Sequence, residues 1–376
     1  MGWDTKNCFH GGAFFSAIGN DFSDMEKSKT IISADVLDAW FDPSPKVTEA
    51  LQAYLPWILK TSPPIHAEGL IETISSHRGI PRQSILVNAG SSNLIFCVLS
   101  RALPQNASVL VLNPTYGEYK FFLEAVMGCR VVWFSQYKTP AYSFGVDDII
   151  NAVKKENVDA VILVNPNNPT GNFFTRGEME ELCKGLPGHV MFWVDEAYID
   201  YVGAVNSVED LACRRSNVLV CKSMSKVYAL SGARCAYLAA NKDLVAHLRK
   251  QTPPWAVSLP AQIAGVYAMK DYGYYLERYN ETKRLKEELL TGLRDILPAK
   301  LLPGHINSIL CECEPGFHVN QFLDGCRHGG LFLRQVANMG ENWGENAFRV
   351  SVKDRATNRA MLGIMKNAIQ EQGGAL

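Results

Sequence analysis

The chain predicts an α/β protein, with a large domain built on a mainly parallel seven-stranded sheet sandwiched by helices and a smaller α+β domain beside it. Short apolar runs recur at Ile85 to Asn88, Ser108 to Leu112, Arg130 to Phe134, Ala160 to Val164, Val190 to Val194, Asn217 to Cys221 and Cys235 to Ala239. Stretches with helical or turn character separate them, and such alternation predicts parallel strands covered on both faces. The connection between the last two runs is too short for a helical crossover, so that pair is expected to be antiparallel. A Pro-rich break, Gln251 to Gln262, ends the pattern and sets the C-terminal bound of a large domain at 46–250.

Taken in order, four of these strand ends carry chemistry. ILVNAGSSNLIF, from Ile85, reads as a strand, a Gly/Ser turn and a helical start. The backbone amides of Gly90, Ser91 and Ser92 there would cradle a phosphate. VNPNNPTG, from Val164, follows the run AVILV and places Asn168 in a turn at a strand's carboxyl end, where ligands of open α/β sheets sit. MFWVDEAYIDY stops its apolar run on Asp195, with Tyr198 three residues on. SMSKVYALSGAR sets Lys226 among small polar residues, with Arg234 eight positions later. A lysine amine condenses with aldehydes, the hydroxyls of Ser223 and Ser225 could bond a phosphate, and a guanidinium matches phosphate bidentately. Lysine and phosphate site together point to pyridoxal 5′-phosphate, with Asp195 able to hold the ring nitrogen protonated and Tyr198 within reach of the ring hydroxyl. Each segment alone is also consistent with an ordinary cap, turn or basic loop.

In this order the segments resemble the fold type I pyridoxal-phosphate-dependent aminotransferases over nearly the whole chain, and most of all the group of histidinol-phosphate aminotransferases and threonine-phosphate decarboxylases. The resemblance implies that Lys226 forms the Schiff base and later shuttles the proton, that Asp195 pairs with the pyridinium nitrogen, and that Asn168 and Tyr198 bond the ring oxygen. It places Tyr116, in NPTYGEY, against the face of the cofactor ring. Gly90, Ser91, Ser92, Ser223 and Arg234 would form the phosphate cup. Arg349, in FRVSVKD, would hold the substrate α-carboxylate, and Arg334, in GLFLR, is a second candidate, an exposed strand-end arginine being the alternative. The resemblance also implies that residues 1–45 pack with 251–376 as the small domain, and that two chains form a homodimer with active sites at its interface. Ser258 stands where relatives approach the partner's phosphate; where relatives use a tyrosine from YPD for that contact, this chain has TSPP, with Ser62 at the matching place.

Composition fits a globular enzyme: 376 residues are enough for two cores, and 47% hydrophobic with 20% charged content is ordinary. A net charge of −1 gives no electrostatic case for nucleic acid or an anionic membrane. No apolar run approaches the ~18 residues of a membrane span, and the first residues lack a signal-peptide pattern, so a cytoplasmic location is expected. Ten cysteines, scattered in apolar contexts, read as reduced core residues. Cys311 and Cys313 lack a second Cys/His pair at zinc-like spacing, so no metal is expected.

The chain departs from its relatives where the substrate is chosen. HGG, His10 to Gly12, resembles the start of threonine-phosphate decarboxylases, and His10 is a candidate substrate contact. Those relatives then carry an NPxG turn, whereas here the region reads ADVLDAWFDPSP, with Asp38 in place of the asparagine and Asp35 and Asp42 nearby. Carboxylates at a pocket for a phosphorylated side chain would repel it and favour a guanidinium or an ammonium. Trp40 could add a cation–π wall, or could be core, and Asp42 before Pro43 also suits a turn or N-cap. The same residues serve transamination, decarboxylation or elimination. The expectation is a basic amino acid, either transaminated or, as a γ-hydroxyarginine, dehydrated and cyclised as in enduracididine-forming enzymes. Phosphothreonine-type decarboxylation and histidinol-phosphate transamination are the alternatives. A noncatalytic sensor of the cofactor would be expected to carry a DNA-binding extension, which the chain lacks.

Overall fold

The computed structural model describes residues 12–19 and 21–373. Its large sheet contains β1 (Ile85–Asn88), β2 (Ser108–Asn113), β3 (Arg130–Ser135), β4 (Ala160–Val164), β5 (Met191–Asp195), β6 (Val218–Ser223) and β7 (Ala236–Ala240). Their spatial order is β1-β7-β6-β5-β4-β2-β3. Every expected strand is present, displaced by no more than two residues. β7 runs antiparallel to both neighbours, β6 and β1, and every other pairing is parallel. Only twelve residues, 224–235, join β6 to β7, and they carry Lys226.

These strands read as unbroken apolar runs because both faces are buried. Leu110, Leu112, Phe192 and Val194 point into one core, and Val109, Val111, Trp193 and Leu219 into the other. The carboxyl ends of β4, β5 and β6 therefore finish side by side, since Val164 pairs with Asp195 and Asp195 with Cys221.

The small half holds an antiparallel sheet in the order β10-β11-β9-β8, formed by β8 (Ala299–Leu302), β9 (Ser308–Cys313), β10 (Arg334–Gln335) and β11 (Ala347–Ser351). The N-terminal segment joins it, because Ile32–Ser33 pairs in parallel with Leu331–Phe332. The Pro-rich stretch runs into a helix, not an open linker. Pro260 and the Ser258 hydroxyl instead start helix α3 (Leu259–Lys270), which packs on α1 (Pro45–Lys60) and α2 (Glu68–Arg78). Proline is favoured in a first helical turn, so here it marks a start instead of a stop. Helix α4 (Tyr272–Ile296) then spans both halves, with Tyr275 and Tyr279 in the large core and Leu285, Leu289 and Leu293 in the small one. Cys311 and Cys313 lie buried in that small core and Cys221 in the large one, and burial pushes all three thiols up.

A buried ionic cluster lies against β5, β6 and β7. Arg78 donates to Glu209 at 2.7 Å and to Asp200 at 3.1 Å, Lys222 lies 3.3 Å from Glu196, and Tyr237 donates to Glu209 at 2.6 Å. The side chains of all the charged members are at most 5% exposed. Burial raises the Glu196 carboxyl, whereas Asp200 and Glu209 are held low by Lys222 and Arg78 against the same burial. Three acids here face two bases, so each cation is needed. Among the described residues no helix is long and apolar enough to cross a membrane, and no group of three His, Cys, Asp or Glu could hold a metal. Lys222→Met would leave Arg78 alone against three buried carboxylates, with Glu196 unpaired, and urea unfolding should show a loss of roughly 3–5 kcal/mol.

Candidate active site

A cavity of about 250 Å³ opens at the shared ends of β4, β5 and β6, and Asp195, Tyr198, Asn168, Lys226, Arg334 and Arg349 line it. Asp195 is the last residue of β5 and is 3% exposed. Its Oδ1 accepts from the Ala197 amide at 3.0 Å, and its Oδ2 accepts from the Tyr119 hydroxyl at 2.7 Å. Trp193 Nε1 donates to that same hydroxyl at 2.8 Å and fixes its direction. Burial pushes the Asp195 carboxyl up to about 6, while the Tyr119 and Ala197 donors oppose the shift. A carboxylate so placed gains most from a cationic partner arriving in the cavity.

Opposite it, Gly90 adopts φ +95° and backs onto Arg234, whose own φ is +58°. A Cβ added at Gly90 would lie 2.3 Å from Arg234 Nη2, so only glycine lets the guanidinium lie against this turn. Ser91 and Ser92 open the helical run 91–102, and both line the cavity with Ser223. Ser92 donates to Glu118 at 2.9 Å, and Ser223 caps the turn Met224–Val227 by accepting from the Ser225 amide at 3.3 Å. Ser225 is buried and takes part here through its backbone. Tyr116 lines the cavity, with its ring centroid 6.1 Å from that of Tyr119.

Lys226 Nζ donates to Asp38 Oδ1 at 2.7 Å, and Ser231 Oγ donates to the same oxygen at 2.6 Å. Burial raises the Asp38 carboxyl, but Lys226, Ser231 and the charge of Lys353 together hold it low. Arg349 is 3% exposed; it donates to Asn168 Oδ1 at 2.5 Å and to the Asp35 carbonyl at 2.7 Å, and its Nε has no partner among the described residues. Burial brings its pKa down to about 10, with Tyr198 opposing and Arg334 assisting. Arg334 pairs with Arg349 across β10 and β11, which places two guanidiniums at one wall of the cavity. Asn168 Nδ2 donates to Tyr198 at 3.4 Å, and burial raises the Tyr198 hydroxyl.

Asp35 also lines the cavity, but its carboxylate is engaged by the amides of Gly12, Ala13 and Val36. The remaining candidates have other surroundings. Asp42 is exposed, and Trp40 donates to Thr282 at 2.8 Å beneath Arg278, away from the cavity. His10 lies outside the described residues. The Ser258 hydroxyl caps α3, and Ser62 is exposed. Sequence reasoning missed Tyr119, Ser231 and Lys353. Tyr119 stands three residues after Tyr116 in YGEY, a spacing that puts both on one helical face.

The donor set suits pyridoxal 5′-phosphate: a lysine, a buried acid for a ring nitrogen, and a glycine turn held open against an arginine. This fold and site define a pyridoxal-phosphate-dependent enzyme. The profile of the aminotransferase class I and II family matches residues 35–353, and the chain belongs to that family. It is 28% identical to the histidinol-phosphate aminotransferase of Roseiflexus castenholzii over 341 residues, covering 89% of each chain. Its fold matches the crystal structure of histidinol-phosphate aminotransferase from Sinorhizobium meliloti in complex with pyridoxal-5′-phosphate, with a TM-score of 0.82 at 18% identity, covering 98% of this chain and 99% of the other. It also matches L-threonine-O-3-phosphate decarboxylase from Porphyromonas gingivalis, with a TM-score of 0.77 at 19% identity, covering 90% and 100%.

The Asp195 shift has a sign that can be checked. Its folded pKa lies above the unfolded value, so the stability tied to its proton is full below about pH 4 and is lost as pH rises through about 6. Asp195→Asn removes that loss. The cofactor-free variant should therefore be up to about 3 kcal/mol more stable than the cofactor-free parent at pH 8, with no such gain at pH 4. Thermal unfolding at the two pH values measures this, and the variant should bind the cofactor more weakly.

Proposed function

We propose that the chain acts at the α-carbon of an amino acid with a basic side chain, with Lys226 as base, Arg349 as anchor of the α-carboxylate and Asp38 as acceptor of the side-chain cation. The observation that carries this reading is the Asp38 carboxylate itself. It stands beside the cavity, already binds the ammonium of the cavity-lining Lys226 at 2.7 Å, and would offer its second oxygen to another cation.

Pyridoxal 5′-phosphate, when bound, supplies an electron sink for the bond broken at Cα. Lys226 would be its attachment point, Asp195 would keep the ring nitrogen protonated, Tyr198 and Asn168 would bond the ring oxygen, and Tyr116 would cover a ring face. Ser91, Ser92, Ser223, Gly90 and Arg234 would take the phosphate, with Ser225 setting Ser223 through its backbone amide. Arg349, with an Nε still to be satisfied, would hold the substrate carboxylate and leave Cα–H to Lys226 Nζ as base. Transamination needs nothing further. With a γ-hydroxyarginine, Lys226 would also move a Cβ proton: that proton leaves with the γ-hydroxyl as water, and the guanidine nitrogen that then bonds to Cγ gives up its own proton to Cβ.

A second reading is favoured by the cross-strand arginine pair. Arg334 beside Arg349 would suit a phosphorylated substrate, as in the histidinol-phosphate aminotransferase and threonine-phosphate decarboxylase relatives. Both readings include a homodimer, which is supported by the exposed apolar side chains Tyr54, Trp57 and Leu59 on α1, Ile65 after it and Trp255 before α3.

Mixing the cofactor-loaded protein with arginine, γ-hydroxyarginine, ornithine, histidinol phosphate and phosphothreonine, without a keto acid, tests the substrate class. The basic amino acids should shift the cofactor absorbance or lose water; a response to the phosphorylated compounds alone would replace the first reading by the second. Lys226→Ala should abolish both turnover and the visible Schiff-base absorbance. Arg349→Lys keeps the charge but loses the fork, and should raise KM roughly ten- to hundredfold in steady-state kinetics. Leu59→Asp should convert a dimer to a monomer in sedimentation velocity.

A further inference from the structure

We infer that Asp38 is a built-in counter-ion for Lys226, a positioning residue that receives the lysine's ammonium whenever the lysine is detached from the cofactor. Both hydrogen bonds on this carboxylate meet at Oδ1, from Lys226 Nζ at 2.7 Å and Ser231 Oγ at 2.6 Å. Oδ2 has no hydrogen-bond partner among the described residues. The lysine and a substrate cation can therefore use different oxygens of one carboxylate.

The acid is held from the small half and the base from the large half. The backbone around Asp38 is fixed by Ser351 donating to the Val36 carbonyl at 2.6 Å, Asn307 to the Leu37 carbonyl at 3.1 Å and Arg349 to the Asp35 carbonyl at 2.7 Å. On the other side Arg234 Nη1 donates to the Ser231 carbonyl at 2.9 Å. The residue that backs onto the Gly90 turn thus also holds the serine that aims Asp38 at the lysine. Asp38 also interacts with the charges of Lys353 and Tyr198, and Lys353 in turn feels Lys226, Asp35 and Asp354.

The chemistry calls for such a partner. When Lys226 accepts the Cα proton, Nζ becomes an ammonium in a half-buried site, where an unpaired charge is costly. Asp38 stabilises it in one position and returns it to the reacting atoms without a search. A lysine held in that ion pair is slower to meet an arriving aldehyde. The inference rests on Lys226 being the cofactor lysine, and it is independent of the charge of the substrate side chain.

The test uses the full chain freed of cofactor, with no substrate present. Trinitrobenzenesulfonate labelling of Lys226 at pH 7.5, located by peptide mass spectrometry, should be about fivefold faster in Asp38→Asn than in the parent, because a half-exposed ion pair contributes about 1 kcal/mol. Asp38→Glu should restore slow labelling, and Ser231→Ala should show an intermediate rate. Recovery of the visible absorbance on adding pyridoxal 5′-phosphate should accelerate in the same rank order. Equal labelling in parent and Asp38→Asn, with both showing the same thermal midpoint, would overturn the inference, as would fast labelling in Asp38→Glu. Fast labelling with an unchanged KM for arginine would uphold it while removing the cation pocket. Lys226→Ala retaining its visible absorbance would instead remove the reading of Lys226 on which it rests.

Discussion

The site depends on charge neutralisation behind the sheet. Glu196 follows Asp195 directly and Lys222 precedes Ser223 directly, so their 3.3 Å contact ties β5 to β6 one residue from the groups that face the cavity. Asp200 lies two residues beyond Tyr198, and Tyr237, on β7, holds Glu209. A buried ion pair adds little net stability, but breaking one is costly, which makes the arrangement a device for position more than for strength. The same alternation that turns Glu196 and Lys222 away from the cavity turns Asp195 and Ser223 toward it.

Two demands of opposite sign meet in the cavity itself. Asp195 is buried with neutral donors only and is left wanting a cation, while Arg349 is buried with neutral acceptors and an orphaned Nε and is left wanting an anion. A zwitterionic amino acid and a cofactor with a basic ring nitrogen answer both. Burial makes the two demands strong, because the surrounding protein screens charge poorly.

The large sheet was legible because its strands are buried on both faces and leave apolar runs of strand length, and because twelve residues cannot hold a crossover helix. The cofactor-facing residues were legible because they sit at the ends of those runs. The helix that begins at Leu259 was not, since a Pro-rich stretch announces a helix start as readily as a linker. Tyr119 and Trp193 were hidden among core aromatics, because a hydrogen bond to a carboxylate leaves no local pattern. Asp38 was legible as an acid near the substrate, but its bond to Lys226 spans 188 positions of chain and crosses between the two halves, beyond the reach of any periodicity.

Helix α4 constrains how the two halves can move. Its 25 residues make a rod of about 37 Å, anchored by Tyr275 and Tyr279 at one end and by Leu285 to Leu293 at the other. Lys286, on the same helix, holds the carbonyls of Pro303, Gly304 and Ile306, and Gly304 rests on Gly171 in the turn that carries Asn168. The small half is thus the far arm of a lever whose axle lies in the large core. A tilt too small to disturb either core still displaces Asp38 and Arg349 relative to Lys226 and Asn168, so the rigidity of one helix turns slight rocking into the opening and closing of the chamber.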